Sequence, residues 1–133
     1  MISARVDGEE RLVSVGDTPI ERLTVVVQGG HTTTHLPPDR AVITTPALVA
    51  LMEQCIAASE ARHTADGGRW RSMAANVKHR AGAKIGENLE VEAARAVDSR
   101  ANRATWTVSV TAADGRLIAE GTVERIRAGA CHA

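Results

Sequence analysis

The chain has 133 residues, 44% hydrophobic and 24% charged, which fits a single globular domain and excludes a disordered chain. Sixteen basic residues balance 16 acidic ones, so no net field draws the protein to nucleic acid or to a membrane surface, and neither partner is expected. Aromatic side chains are limited to Trp70 and Trp106, so the core must be built from Val, Ile, Leu, Met and Ala, and stacking on bases is not available.

In chain order, residues 1–18 form a polar N-terminal extension in which "RLVSV" hints at a short strand. "IERLTVVVQ" (20–28) is rich in β-formers and is broken by "GGH". Residues 31–44, "HTTTHLPPDRAVIT", read as a loop with a short extended piece. From Thr45 to about His63 the pattern is helical, with Thr45 as N-cap, Pro46 in the first helical position, and "TADGGR" (64–69) as the stop. Strands follow. "RSMAANVKH" (71–79) places Met73, Ala75, Val77 and His79 on one face. "NLEVEAARAV" (88–97) and "ATWTVSVTA" (104–112) alternate, the latter turning at "ADGR" into "LIAEGTVERIRA" (117–128). Gly121 marks a bulge or a close approach of another backbone. The expected architecture is α+β: one long helix on an antiparallel sheet of about five strands, the last four in a meander, in a single domain spanning 1–133 with a tail at 128–133.

Two cysteines, Cys55 and Cys131, make no disulfide framework. With no apolar leader and no apolar run near 18 residues, a soluble cytoplasmic protein without a membrane partner is expected.

"TTPALVALMEQC" (44–55) reads as a helix buried nearly all round, yet Glu53 stands inside its apolar run. Its neighbours three and four residues away are Val49, Ala50, Ile56 and Ala57. A carboxylate buried there needs hydrogen bonds or a cation, unless the flank is half covered and Glu53 reaches water or an arginine. Thr45 lies eight residues earlier, where free helix N–H groups favour negative charge and are available to an oxyanion. His79 ends a strand. Hydroxyl, carboxylate and imidazole are the groups that activate water or a hydroxyl against an acyl carbon.

These segments resemble the fluoroacetyl-CoA thioesterase-like branch of the hotdog-fold thioesterases. "VITTPALVALMEQC" is similar to that family's helix entry, with a threonine eight residues before a glutamate. "NVKHRAGAKIG" (76–86) resembles its strand end, and "IAEGTVERIR" (118–127) its closing strand; "HTTTHL" is a weaker echo. The resemblance covers about residues 20 to 127. It implies a hotdog fold and a homodimer, or a higher oligomer, hydrolysing acyl-CoA or acyl-carrier thioesters in a site shared across the interface. By position it assigns Thr45, Glu53 and His79 as catalytic residues and Arg125 as a site arginine, with Met73 and Asn76 near the pocket. No cofactor is implied beyond the CoA of the substrate, and no metal. The family's phenylalanine lid has no counterpart in a chain without phenylalanine. Another acyl group is therefore expected, with a non-catalytic module that binds acyl thioesters or other small ligands as the alternative.

Other patterns carry less. His31 and His35 have a zinc-like spacing but flank three threonines in a loop-like stretch with no supporting cysteine or acidic cluster. Cys55 points away from Glu53 and reads as core. Arg62, Arg69, Arg71, Lys78, Arg80 and Lys84 form a basic region that is either a solvated rim or a landing zone for phosphates.

Overall fold

The computed structural model describes residues 2–6, 9–13, 20–33, 35–63, 69–96, 99 and 102–127. Two strands, β1 (Ile2–Val6) and β2 (Glu9–Val13), pair antiparallel as a small separate sheet, where the sequence hinted at one strand. β3 (Glu21–Val26) follows, then a 3-10 turn at Gly29–His31 and the helix α1 (Thr45–His63). β4 (Trp70–His79), β5 (Asn88–Arg95), β6 (Arg103–Ala112) and β7 (Leu117–Arg127) complete the chain. The segment 64–68, the expected helix stop, and the tail 128–133 with Cys131 lie outside the described residues.

Helix α1 keeps its expected bounds. Leu48, Leu51, Met52, Cys55 and Ile56 recur at helical spacing and are buried together with Ser59 and Glu60. The other side, with Pro46, Ala50, Gln54 and Ala61, is exposed. The expectation of burial nearly all round is thus corrected: the sheet covers one face of the helix, and the alanines opposite it are small enough to stay apolar without a cover.

The main sheet has the order β3-β5-β6-β7-β4, antiparallel throughout. Leu89, Val91 and Ala93 of β5, Trp106, Val108 and Val110 of β6, and Ala119 and Val123 of β7 are buried in one core with the helix. The meander therefore holds for β5, β6 and β7, but β4 pairs with β7 at the far edge instead of with β5. Gly121 shows why this pairing is possible. A Cβ there would lie 2.0 Å from Asn76 O and 2.9 Å from Val77 Cα, so the missing side chain is what lets β4 dock.

A bulge between Ser72 and Ala74 shifts the register of β4. Ala75 and Val77 stand opposite Val123 and Gly121, with His79 opposite Ala119, so these three share the helix-facing side. Met73 is the extra residue at the bulge and is exposed, which takes it out of the alternation read from the sequence. The β6–β7 turn is pinned by Arg116, which bonds Asp114, Glu87 and Gly82 O. Among the described residues no helix is long and apolar enough to cross a membrane.

Candidate active site

Two adjacent threonines set the start of α1. Thr44 Oγ accepts the N–H of Ala47 at 3.2 Å, and Thr44 O accepts that of Leu48 at 3.1 Å. Thr44 is therefore the N-cap, one residue before the expected Thr45, which makes Thr45 the first helical residue and moves Pro46 from the first helical position to the second. A cap oxygen reaches the N–H groups two or three residues ahead. From Thr45 those are Ala47 and Leu48, which Thr44 already holds.

Relieved of capping, Thr45 Oγ lies 2.9 Å from His79 Nδ1. The helix start and the end of β4 bring together residues 34 positions apart. With the ring proton on Nε2, Nδ1 accepts the hydroxyl hydrogen, which is the relation of a base to an oxygen it activates. The helix end itself offers an oxyanion little: Pro46 has no N–H, and those of Ala47 and Leu48 are engaged. Among the described residues, the donor left in that turn is the N–H of Thr45.

Glu53 stands apart from this pair. Eight residues of helix separate it from Thr45, about 12 Å along the axis. Its side chain is 38% exposed, and its Oε2 lies 4.0 Å from Arg125 Nη1. Both options left open by the sequence are realised: the flank is half covered and an arginine is near. The buried acid of this helix is Glu60, whose side chain is 2% exposed. Arg125 on β7 grips it with Nε at 3.1 Å and Nη2 at 2.6 Å, while Nη1 reaches Ser72 Oγ at 2.9 Å and Nη2 the carbonyl of Trp70 at 3.3 Å. Arg125, expected as a site arginine, is thus buried and largely committed to protein groups.

Asn76 alternates with Ala75 and Val77, so it lies on the sheet face away from the Thr45–His79 pair and is not brought to it. Met73, exposed at the bulge, belongs to the open β4 edge. Sequence reasoning missed Thr44, Ser72 and Glu60. For Glu60 a signal existed, since it falls four residues after Ile56 and within the buried stripe of α1. Of the basic residues, Arg62 bonds Glu21 at 2.7 Å and Arg80 lies 3.7 Å from Glu120, so both have acidic partners. His31 Nδ1 accepts the N–H of Gln28. Cys55 is buried, and its thiol points at the carbonyls of Glu21 and Val91. Burial first, then the negative charges of Glu21 and Glu92, push that thiol up to about 12 and make it a poor nucleophile.

A helix laid on a five-stranded antiparallel sheet in this order is the hotdog fold, and the class is that of the hotdog thioesterases. The chain belongs to the fluoroacetyl-CoA-specific thioesterase (FlK) family, whose profile matches residues 27–128. Among solved structures it is similar to the fluoroacetyl-CoA thioesterase FlK, at 26% identity and a TM-score of 0.72, covering 82% of this chain and 84% of that one. It also shares the fold of a Thermus thermophilus hypothetical protein of the thioesterase superfamily, at 20% identity and a TM-score of 0.72, covering 85% and 83%. A hypothetical thioesterase from Streptococcus pneumoniae, solved with coenzyme A, superposes with a TM-score of 0.69 at 13% identity, covering 84% and 80%. No curated protein matches the chain.

Proposed function

We propose that the protein is a cytoplasmic acyl-CoA thioesterase, which also admits an acyl-carrier thioester, with its site shared between two copies. The observation that carries this reading is the 2.9 Å contact between Thr45 Oγ and His79 Nδ1. The thioester carbonyl carbon is attacked by Thr45 Oγ, or by a water that it orients, as His79 Nδ1 takes the proton. The tetrahedral intermediate collapses and expels the thiolate, a leaving group that needs little proton assistance. If Thr45 attacked, water then cleaves the acyl ester in a second, equivalent step.

Glu53 enters this chemistry from a second copy. Within one chain it is about two helical turns from Thr45, whereas β4 is an open sheet edge beside the pair, and such an edge is a template for pairing with another chain. Joining two copies at β4 sets the partner's Glu53 toward the Thr45–His79 pair, where it orients the hydroxyl or the imidazole. Met73 on the same edge is the proposed contact for the acyl group. A chain without phenylalanine cannot build a phenylalanine lid, so the acyl group is one other than fluoroacetyl.

The test is thiol release from short, branched and aromatic acyl-CoAs, followed with a chromogenic disulfide. Turnover by the wild type and loss of about 100-fold or more in Thr45→Ala and His79→Ala are expected. Undiminished hydrolysis by Thr45→Ala, Glu53→Gln and His79→Ala would remove the site. Saturable acyl-CoA binding with no turnover would instead establish a binding module.

A further inference from the structure

We propose that Glu60, together with Ser72, is a positioning residue for Glu53, acting through Arg125. A guanidinium carries five N–H donors in a fixed fork. In Arg125 the Nε donor and one Nη2 donor hold Glu60, the other Nη2 donor faces the Trp70 carbonyl, and one Nη1 donor holds Ser72. Four of the five are thus assigned, and Nη1 is also the nitrogen that stands 4.0 Å from Glu53.

Glu53 and Glu60 are seven residues apart, two turns along the same side of α1. Two carboxylates therefore compete for one cation, and the buried one has it: Glu60 is 2% exposed against 38% for Glu53. Bonds to a desolvated carboxylate are the stronger ones. The outcome serves the site. Glu53 senses a fixed positive charge at ion-pair distance but is not clamped by it, so its oxygens stay free to accept a hydrogen bond from the reacting groups. Were Arg125 released from Glu60, it would close on Glu53 as a two-pronged pair and remove it from the chemistry.

The inference rests on the thioesterase reading for what Glu53 does, but not for the clamp, so the test has two arms. Crystal structures of the wild type and Glu60→Gln read the geometry without reference to activity. Arg125 is expected to move onto Glu53 in the variant at hydrogen-bond distance; a fork left in place on the substituted amide side chain and Ser72 overturns the proposal. In thiol release, Glu60→Gln is expected to lower kcat about 10- to 100-fold with KM changed less than about threefold. An unchanged kcat in the folded variant would show a merely structural ion pair. Ser72→Ala keeps the charge pair and frees an Nη1 donor, so it serves should Glu60→Gln not fold; it is expected to lower kcat by about three- to tenfold, and full activity in it counts against the clamp. If the wild type hydrolyses no acyl-CoA, the enzymatic reading fails, and the crystallographic arm still decides where Arg125 points.

Discussion

Thr44 and Thr45 are chemically alike and adjacent, yet the helix start gives them separate tasks. Thr44 Oγ caps Ala47 N–H, and Thr45 Oγ meets His79. Thr44→Ala is expected to lower stability by about 1 kcal/mol in urea unfolding. Thr45→Ala should leave the unfolding midpoint nearly unchanged and remove thiol release. A variant pair that reversed this pattern would mean the tasks were misassigned. Cys55 supports a pH prediction. Its thiol keeps its proton in the folded protein up to about 12, against an ordinary 9.0. Below pH 9 both states are protonated and the group adds no pH dependence. Above it the unfolded chain loses the proton while the folded one does not, so stability falls by about 1.4 kcal/mol per pH unit toward 12. Between about pH 9 and 10.5 the urea midpoint of the wild type should fall more steeply than that of Cys55→Ala, and parallel curves would contradict the burial.

At the scale of elements, the docking of β4 on β7 decides whether there is a site at all, because His79 is the last residue of β4. That docking passes through Gly121, where an added Cβ would meet Asn76 O at 2.0 Å, a backbone atom that cannot turn aside. Gly121→Ala is therefore expected to cost on the order of 1–3 kcal/mol and to raise amide exchange along β4 more than along β5 or β6, read by hydrogen–deuterium exchange. Uniform protection in the variant would show that the strands can separate to admit the methyl. The sequence flags Gly121 as a bulge or a close approach; the close approach is what occurs at Gly121, and the register shifts lie at Met73 on the strand facing it and at Ile118, three residues earlier on β7.

The whole molecule presents an open edge at β4 beside an exposed, alanine-rich side of α1. A native mass of twice the chain, or a higher multiple, is expected from light scattering at micromolar concentration. A monomer that still hydrolyses thioesters would refute the shared site. A substitution that drives the proposed dimer apart, such as a charged residue at Ala75, should lower kcat together with the dimer fraction, the outcome that the proposal of a Glu53 supplied by the other copy requires.

Much of this was legible in the sequence because it depends on local periodicity. The extent of α1 follows from its cap and stop signals and the four strands after it from side-chain alternation, whereas the face that α1 buries was settled only by the sheet packed on it. The family likeness rests on segments whose order and spacing survive in the linear chain. What the linear chain could not settle were matters of competition between groups distant in sequence. Period-two alternation gives each strand's faces but not its neighbour, so β4 could be placed beside β5 until the contact at Gly121 put it beside β7. The same holds for the acids of the helix. Glu53 and Glu60 share a side of α1, and only the position of Arg125, 65 residues beyond Glu60, determines which of them takes the cation. The sequence by itself determined α1, the strands from β3 onward and the residue types of the candidate site. The tertiary structure decided which threonine caps the helix, which acid is clamped and which strand β4 pairs with, because a capping oxygen, a guanidinium and a strand edge can each be occupied by one partner at a time.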